Sequence, residues 1–409
     1  MKYSVNEVLQ FVQEEDVKFI RLAFCDVFGT HKNISVMPGE LPKAFEYGVA
    51  IDASAIQGFG DETYSDLYLH PDPDTLSILP WRPEHGKVVR MYCSVTYPDG
   101  TPFEGDTRAL LQRAIAYAKE RGVRFYFGAE MEFYLFQLDE KGQPTKEPYD
   151  FAGYMDIAPE DKGENIRREI CLILEQMGIY PEGSHHEEGP GQNEIDFRYS
   201  DALSAADNAI TFRSVVKTVA GRNGLYADFS PKPLAEKAGN GFHINISAER
   251  ADGKECFVSM IAGILDRVKE ITLFLNSGKD SYRRLGKDKA PRYISWSEGN
   301  RSQLIRIPIT SDGSRRAELR SADALANPYL VFALLIYAGM EGIEGKRQLA
   351  GHTDLNLYKA TEEEKAHLDS LPDTRERAAE LAAESKFIKT YVPQCILNTF
   401  CEGNREESR

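Results

Sequence analysis

The segment 124–136, RFYFGAEMEFYLF, carries two acids two residues apart, Glu130 and Glu132. In an extended chain residues i and i+2 share a face, so both carboxylates point the same way. Four further segments repeat the pattern. GQNEIDFRYS aligns Glu194, Asp196 and Arg198, with Glu187 just upstream in SHHEEGPG. GNGFHINIS aligns His243, Asn245 and Ser247, and RRAELRS aligns Arg316, Glu318 and Arg320. RSQLIRIPI adds Arg301 and Arg306 near its ends. Apolar residues take the alternate positions. A solvated polar face accounts for any one such strand; five together predict a shared cavity lined by a sheet. Facing carboxylates repel, and burying them unpaired is costly. The ordinary remedy is a divalent cation, and oxygen donors with one imidazole suit Mg²⁺ or Mn²⁺. Arginines beside such cations are what a polyphosphate or carboxylate substrate requires. The pattern reads as a metal-dependent phosphoryl-transfer site on an antiparallel sheet.

Such strands need a scaffold. From residue 16 to about 97 the chain shows short β-like runs, VKFIRLAFCDVF, LSILPW and KVVRMYCSVTY, closed by the turn Pro98-Asp99-Gly100. A helix is expected from Asp106-Thr107, both good N-caps, to a glycine stop. ENIRREICLILEQMG and NAITFRSVVKTVAGRNG have helical periodicity and also end in glycine. Residues 329–338 form the most apolar stretch; it is about half a membrane span, so a buried helix is expected. The glycines of Gly239-Asn240-Gly241 suit either a turn or a loop that donates its backbone to a ligand. His185 and His186, beside Glu187, are either ligands or surface residues. P-loop, dinucleotide, G-x-S-x-G and H-E-x-x-H signatures are missing.

The 409 residues hold 49 Lys+Arg and 64 Asp+Glu, a formal charge of 49 − 64 = −15. That field repels a polyanion and excludes a nucleic-acid binder that works by general phosphate neutralisation. The length suits two or three domains at about 150 residues each. The six cysteines include no C-x-x-C pair, and the N-terminus lacks the apolar run of a signal peptide. A reducing cytoplasm is the expected compartment, with no membrane partner.

Read in order, GAEMEFYLF, SHHEEGPGQNEIDF, PKPLAEKAGNGFHINIS, NRSQLIRIP and RRAELRSADALANPYL resemble the signature segments of the glutamine synthetase family, bacterial type I-like. VKFIRLAFCDVFGTHKNI, IDASAIQGF, SDLYLHPDPDTLSILPW and YPDGTPFEGDTR extend the resemblance towards the N-terminus. It implies an α+β fold, with an N-terminal β-grasp-like domain over 1–103 and a catalytic domain over 104–409. In the catalytic domain a curved antiparallel sheet, backed by helices, would line the site. It also implies a homo-oligomeric ring, a hexamer or a dodecamer of two stacked hexamers, in which one subunit's N-terminal domain closes its neighbour's site.

The implied reaction is ATP-dependent formation of glutamine from glutamate and ammonia through γ-glutamyl phosphate. By matching positions, Glu132, Glu187 and Glu194 would hold one Mg²⁺ or Mn²⁺, and Glu130, His243 and Glu318 a second. Arg306 and Arg316 would serve phosphates. Arg284, Arg301 and Arg320 would serve the substrate carboxylates and the developing charge. Gly239 would lie along the glutamate backbone, and Asn245 and Ser247 towards the nucleotide. Asp52 would take a proton from ammonium, with Tyr154 beside that pocket.

The departures from the family cluster at the amine. The family flap reads R-L-V-P-G-x-E-A-P; here 284–291 read RLGKDKAP, one residue shorter, with Lys289 at the position of the Glu and Asp288 adjacent. Ala55 and Ala238 replace a usual Ser and Asn. Ammonium needs a negative pocket, which a lysine opposes. Two readings follow: a glutamine synthetase with a re-routed flap, or a γ-glutamyl-amide ligase using an organic amine. A metal-binding pseudoenzyme is disfavoured because all six ligand positions are kept. Residues 356–358 resemble a tyrosine region modified by adenylylation in some relatives, but the accompanying insertion is missing between Phe136 and Tyr154, so no modification is expected. The feedback arginine expected near Asp61 is also missing. The C-terminal part reads as short, which leaves a single hexamer open.

Overall fold

A computed structural model describes residues 3–82, 85–311 and 315–402. The outer ends of the two expected domains, 1–2 and 403–409, lie outside the described residues. Six strands form the N-terminal sheet: β1 Val17–Cys25, β2 His31–Val36, β3 Val49–Asp52, β4 Asp66–Pro71, β5 Ser77–Ile78 and β6 Lys87–Thr96. Their order is β2-β1-β6-β4-β3, with β5 also on β6. β1 and β6 run parallel, and the other pairs are antiparallel. The run LSILPW yields only the two-residue β5, since Pro80 follows and cannot donate to a ladder.

The second sheet has ten strands. They are β7 Val123–Leu138, β8 Pro144–Pro148, β9 Pro181–His186, β10 Gln192–Phe197, β11 Ser200–Asp201, β12 Leu225–Asp228, β13 Phe242–Arg250, β14 Trp296–Glu298, β15 Ile305–Ile307 and β16 Ala317–Leu319. The main path is β14-β15-β16-β13-β7-β10-β9, and β8, β11 and β12 also pair with β7. This sheet is antiparallel except at its edge, where β14 runs parallel to β15. Two strands are shorter than their sequence runs suggest. β15 begins only at Ile305 and ends before Pro308, and β16 has three residues, so Arg301, Arg316 and Arg320 lie outside the strands. Arg198 likewise lies beyond β10, exposed, with its guanidinium 5.8 Å from the Tyr180 ring.

The back of β7 supplies Ala129, Met131 and Phe133 to the core. Behind it lie the helices Thr107–Glu120, Ala202–Arg222, Phe257–Leu275 and Pro328–Glu344. The last of these is buried almost throughout, as its run of apolar residues requires. Phe332 from this helix stacks on Phe127 at 4.2 Å. Asp106 caps the first of these helices by accepting from the backbone N–H groups of Arg108 and Ala109.

Polar contacts join the N-terminal sheet's loops to the helices behind the second sheet. Arg108 donates to Asp207 (3.0 Å) and to Asp72 (2.9 Å), and Tyr329 donates to Asp207 at 2.6 Å. Asn327 donates to the Val27 carbonyl at 2.9 Å, close against Gly29. Gly29 has φ +77°, and a Cβ there would meet Asn327 at 3.1 Å. The small domain is thus held firmly against the large one.

Candidate active site

Strand register explains why the acids converge. On β7, Glu130 pairs with His243 of β13 on one side and Asp196 of β10 on the other. Glu132 pairs with Glu194, and Glu318 of β16 pairs with Asn245 of β13 and Arg306 of β15. Directly opposed residues share a face, so five strands contribute to one cluster. The cluster lines a cavity of about 590 Å³.

Ligand atoms of Glu130, His243 and Glu318 lie within 4.8 Å of one another, as do those of His185, Glu187 and Glu194, and those of Glu130, Glu194 and Asp196. His243 Nδ1 is 3.4 Å from Glu130, and its Nε2 is 4.0 Å from Glu132. Glu132 is tied back: its Oε2 accepts from the Gly241 N–H at 2.8 Å and from Gln192 at 3.3 Å. Gly241 allows this approach, because a Cβ there would meet His243 Nε2 at 3.0 Å and Arg284 at 3.1 Å. Asn245 bridges the two ends of the cluster, donating to Glu130 at 2.7 Å and accepting from Arg316 at 3.0 Å.

The arginines flank the acids on one side. Arg306 donates to Glu318 Oε2 at 2.6 Å, and Arg320 donates to Glu318 Oε1. Arg284 is buried and anchored on the Ser321 carbonyl at 2.9 Å. Its side chain packs where a Cβ on Gly239 would fall, and the Gly239 carbonyl accepts from Gln192 at 3.1 Å. Arg301, exposed, lines the same cavity, and so does Tyr154.

Three of the expected site residues are not on the cavity lining. Asn245 lies beneath the cavity through its bonds to Glu130 and Arg316 rather than on the lining. Ser247, half-buried and paired with Tyr126, is two residues further along β13. Asp52 is exposed at the end of β3, where it accepts from Ser54 Oγ at 2.7 Å and the Ser54 N–H at 3.0 Å. Those bonds hold its carboxyl below the usual range.

The structure adds Asp196, His185, Gln192 and Glu188 to the cavity lining. Asp196 had a signal in the alternation of β10. Gln192 and Glu188 had none, because their contacts come from other segments.

Charge within the cluster is strongly biased. Burial raises Glu194 well above the usual carboxylate range, with Glu132 and Asp196 adding to the effect. Burial and then Glu132 raise Glu187. Burial, reinforced by Glu130, pushes Asp196 up to about 7. Glu318 goes the other way: burial opposes its charge, but Arg320, His243 and Arg306 hold it down to about 2. The donor set of carboxylate oxygens and imidazoles fits hard divalent cations. Asp196 Oδ1, buried without a hydrogen-bond partner, marks a spot where a cation would be satisfied.

Between the ordinary value of 3.8 and about 7, the native state keeps the Asp196 proton and the unfolded chain does not. The stability this group contributes to metal-free protein is therefore full at low pH and lost as pH rises through about 7. In chelator-treated protein the unfolding free energy is expected to fall over that window, and Asp196→Asn to flatten the fall. A divalent cation, which binds the ionised form, reverses the trend. Denaturant titrations across the window check this; equal slopes for wild type and Asp196→Asn would refute it.

Fold and cavity together define an α+β protein built around a multi-carboxylate cavity. The family model "Glutamine synthetase, catalytic domain" matches residues 104–409, and "Glutamine synthetase, beta-Grasp domain" matches 16–98. The chain belongs to the glutamine synthetase family. It is 43% identical to a glutamine synthetase of Clostridium saccharobutylicum, over 99% of this chain and 95% of that one. It is 42% identical to one from Staphylococcus epidermidis, over 99% and 94%. Among solved structures it resembles a GmaS/ADP complex, with TM-score 0.87 and 27% identity over 97% of this chain and 94% of that one. A Plasmodium falciparum glutamine synthetase shares the fold, with TM-score 0.85 and 21% identity over 98% and 95%.

Proposed function

We propose that the protein is an ATP-dependent ligase that forms glutamine from glutamate and ammonia through γ-glutamyl phosphate. The observation that carries the reading is the meeting of Glu130, Asp196, His243 and Glu318 with Arg306 and Arg320 in one cavity. Relatives called glutamine synthetase at 42–43% identity over 99% of the chain support it, and the ADP in the GmaS structure supports a nucleotide site.

A carboxylate is a poor electrophile. Its oxygen takes the γ-phosphoryl group of ATP, and ADP leaves. Ammonia then attacks the acyl carbon, the C–O bond breaks, phosphate departs and the nitrogen gives up a proton. Glu132, Glu187 and Glu194, and Glu130, His243 and Glu318, would hold Mg²⁺ or Mn²⁺, which would supply charge neutralisation at the phosphates. Asp196 and His185 join these sets in our reading. Arg306 and Arg316 bind phosphate oxygens, and Asn245 fixes Arg316 relative to Glu130. Arg284, Gly239 and Arg301 orient glutamate. Arg320 stabilises charge that develops at the transferring group, from a buried position where a fixed cation acts strongly. Ser247 faces the nucleotide.

Asp52, exposed and outside its own chain's cavity, would serve an adjacent subunit, which supports a ring of six or twelve subunits. The division into domains at 103/104 is supported by the spans of the two family models. All six cysteines are free, which supports a cytoplasmic location. No helix among the described residues is long and apolar enough to cross a membrane.

A second reading, a ligase using an organic amine, is favoured by Lys289 at the cavity mouth. Phosphate release with ATP, glutamate and a panel of ammonium, methylamine, ethanolamine and polyamines separates the two, with product mass identifying the amide. Ammonium is expected to support turnover; turnover with an organic amine alone would favour the second reading.

A further inference from the structure

Residues 286–290 form a tight turn over the cavity mouth. Gly286 N–H donates to the Ala290 carbonyl and Ala290 N–H to the Lys287 carbonyl, both at 2.8 Å. Within the turn Asp288 (φ 45°) and Lys289 (φ 66°) are consecutive left-handed residues, neither of them glycine. Such conformations persist only where the surroundings enforce them. Two ion pairs supply that constraint. Asp288 accepts from Lys232 at 2.5 Å, and Lys232 has a largely buried side chain. Lys289 pairs with Glu188 across the mouth, and its Nζ also sits 5.4 Å from the centre of the Tyr154 ring.

A carboxylate beside an aromatic face is a recognition site for a small cation. Glu188 and Tyr154 form one, and both line the acidic cavity together with Glu187. The charge on Lys289 already fills it.

We infer that Lys289 sets the acceptor requirement of this enzyme as a built-in competitor: its ammonium holds the cation position between Glu188 and Tyr154, and the incoming ammonium or protonated amine must displace it. This rests on the reading of the cavity as a glutamate–amine ligase site. Displacing Lys289 frees the tip of the turn, so the acceptor enters and the latch opens in one exchange. Glu188 is then the acid that meets the acceptor, and Lys289 is a positioning residue acting through it.

The test compares wild type with Lys289→Gln, Lys289→Arg, Glu188→Gln and the Glu188→Gln/Lys289→Gln double variant. Steady-state kinetics give KM for ammonium, glutamate and ATP. Calorimetry of ammonium chloride into protein holding Mg²⁺, ADP and glutamate gives the dissociation constant without turnover. Lys289→Gln is expected to lower both ammonium constants roughly tenfold, the loss of one exposed ion pair and one cation–π contact. The KM for glutamate and for ATP should stay within about twofold, and Lys289→Arg, which keeps a cation beside Glu188 and Tyr154, should not reproduce the gain. In the Glu188→Gln background the lysine change should bring no gain. Because Lys289 is half-exposed, its replacement leaves the fold intact, and unfolding curves verify that. Unchanged or raised ammonium constants in Lys289→Gln overturn the inference, as does an equal gain with Glu188 already removed. If wild type shows no amine-dependent turnover while the calorimetric constant still falls in Lys289→Gln, the latch stands and the ligase reading fails. If wild type turns over and neither constant moves, the latch fails alone.

Discussion

Glu130→Ala is expected to abolish turnover, by a factor on the order of 10³ or more, while leaving the protein folded. Glu130 belongs to two ligand groups, with His243 and Glu318 on one side and with Glu194 and Asp196 on the other. Its removal also strips Asn245 of the acceptor that helps hold Arg316 in register. A variant that only disturbed packing would lose stability with or without metal. Here the opposite is expected: the metal-free variant should be at least as stable as metal-free wild type, because one member of a mutually repelling acidic cluster is gone. The stabilisation that wild type gains from Mg²⁺ or Mn²⁺ should shrink sharply, since binding to the native state is what raises stability. Thermal unfolding with and without metal, alongside phosphate release, checks both halves. Wild-type turnover in Glu130→Ala would remove this residue from the site.

Arg320→Ala carries the second large effect, and it acts through both stability and chemistry. Arg320 is 2% exposed and donates to Glu318, itself 2% exposed. Deleting one partner of a buried pair leaves a desolvated carboxylate with reduced compensation, a loss of about 3–5 kcal/mol in typical cases. Arg306, still 2.6 Å from Glu318, offsets part of that, so the lower end is expected. With Arg320 gone, the strongest attraction holding Glu318 down to about 2 against burial is lost, and its carboxyl titrates higher. Glu318 has a lowered native value, so the stability it contributes is present above its ordinary 4.5 and lost as pH falls towards 2. The variant should show a weaker acid-side dependence, since His243 and Arg306 still favour the charged form. Turnover is expected to fall on the order of 10²–10³, because a preorganised buried cation is removed from the phosphoryl site. Arg320→Lys should recover stability better than turnover, since an ammonium replaces charge but not the planar fork. Full activity in either variant would contradict the assigned role.

Much of this site followed from strand alternation. Glu130 and Glu132, Glu194 and Asp196, and His243 and Asn245 lie two apart on strands that the structure contains, and the same-face argument holds for each pair. The buried helix Pro328–Glu344 and the Asp106 cap also followed from composition and local chemistry. Periodicity overreached at the arginines. Alternation continues through RRAELRS and RSQLIRIPI, but Arg301, Arg316 and Arg320 lie outside the strands, where the chain turns to bring guanidiniums over the cavity edge.

The sequence alone determined the chemical inventory: carboxylates, one histidine on β13 and several arginines, on segments with fixed facing. Local backbone geometry decides that, because residue period and side-chain type are properties of each segment. Tertiary structure alone decided which members meet. The pairing of Glu130 with both His243 and Asp196 depends on the register of three strands far apart in the chain. The tie from the Gly241 N–H to Glu132 depends on one backbone approaching another. The seating of Lys289 between Glu188 and Tyr154 depends on three loops converging at one mouth. Such contacts arise from loop closure and packing between distant segments, which short-range periodicity does not encode.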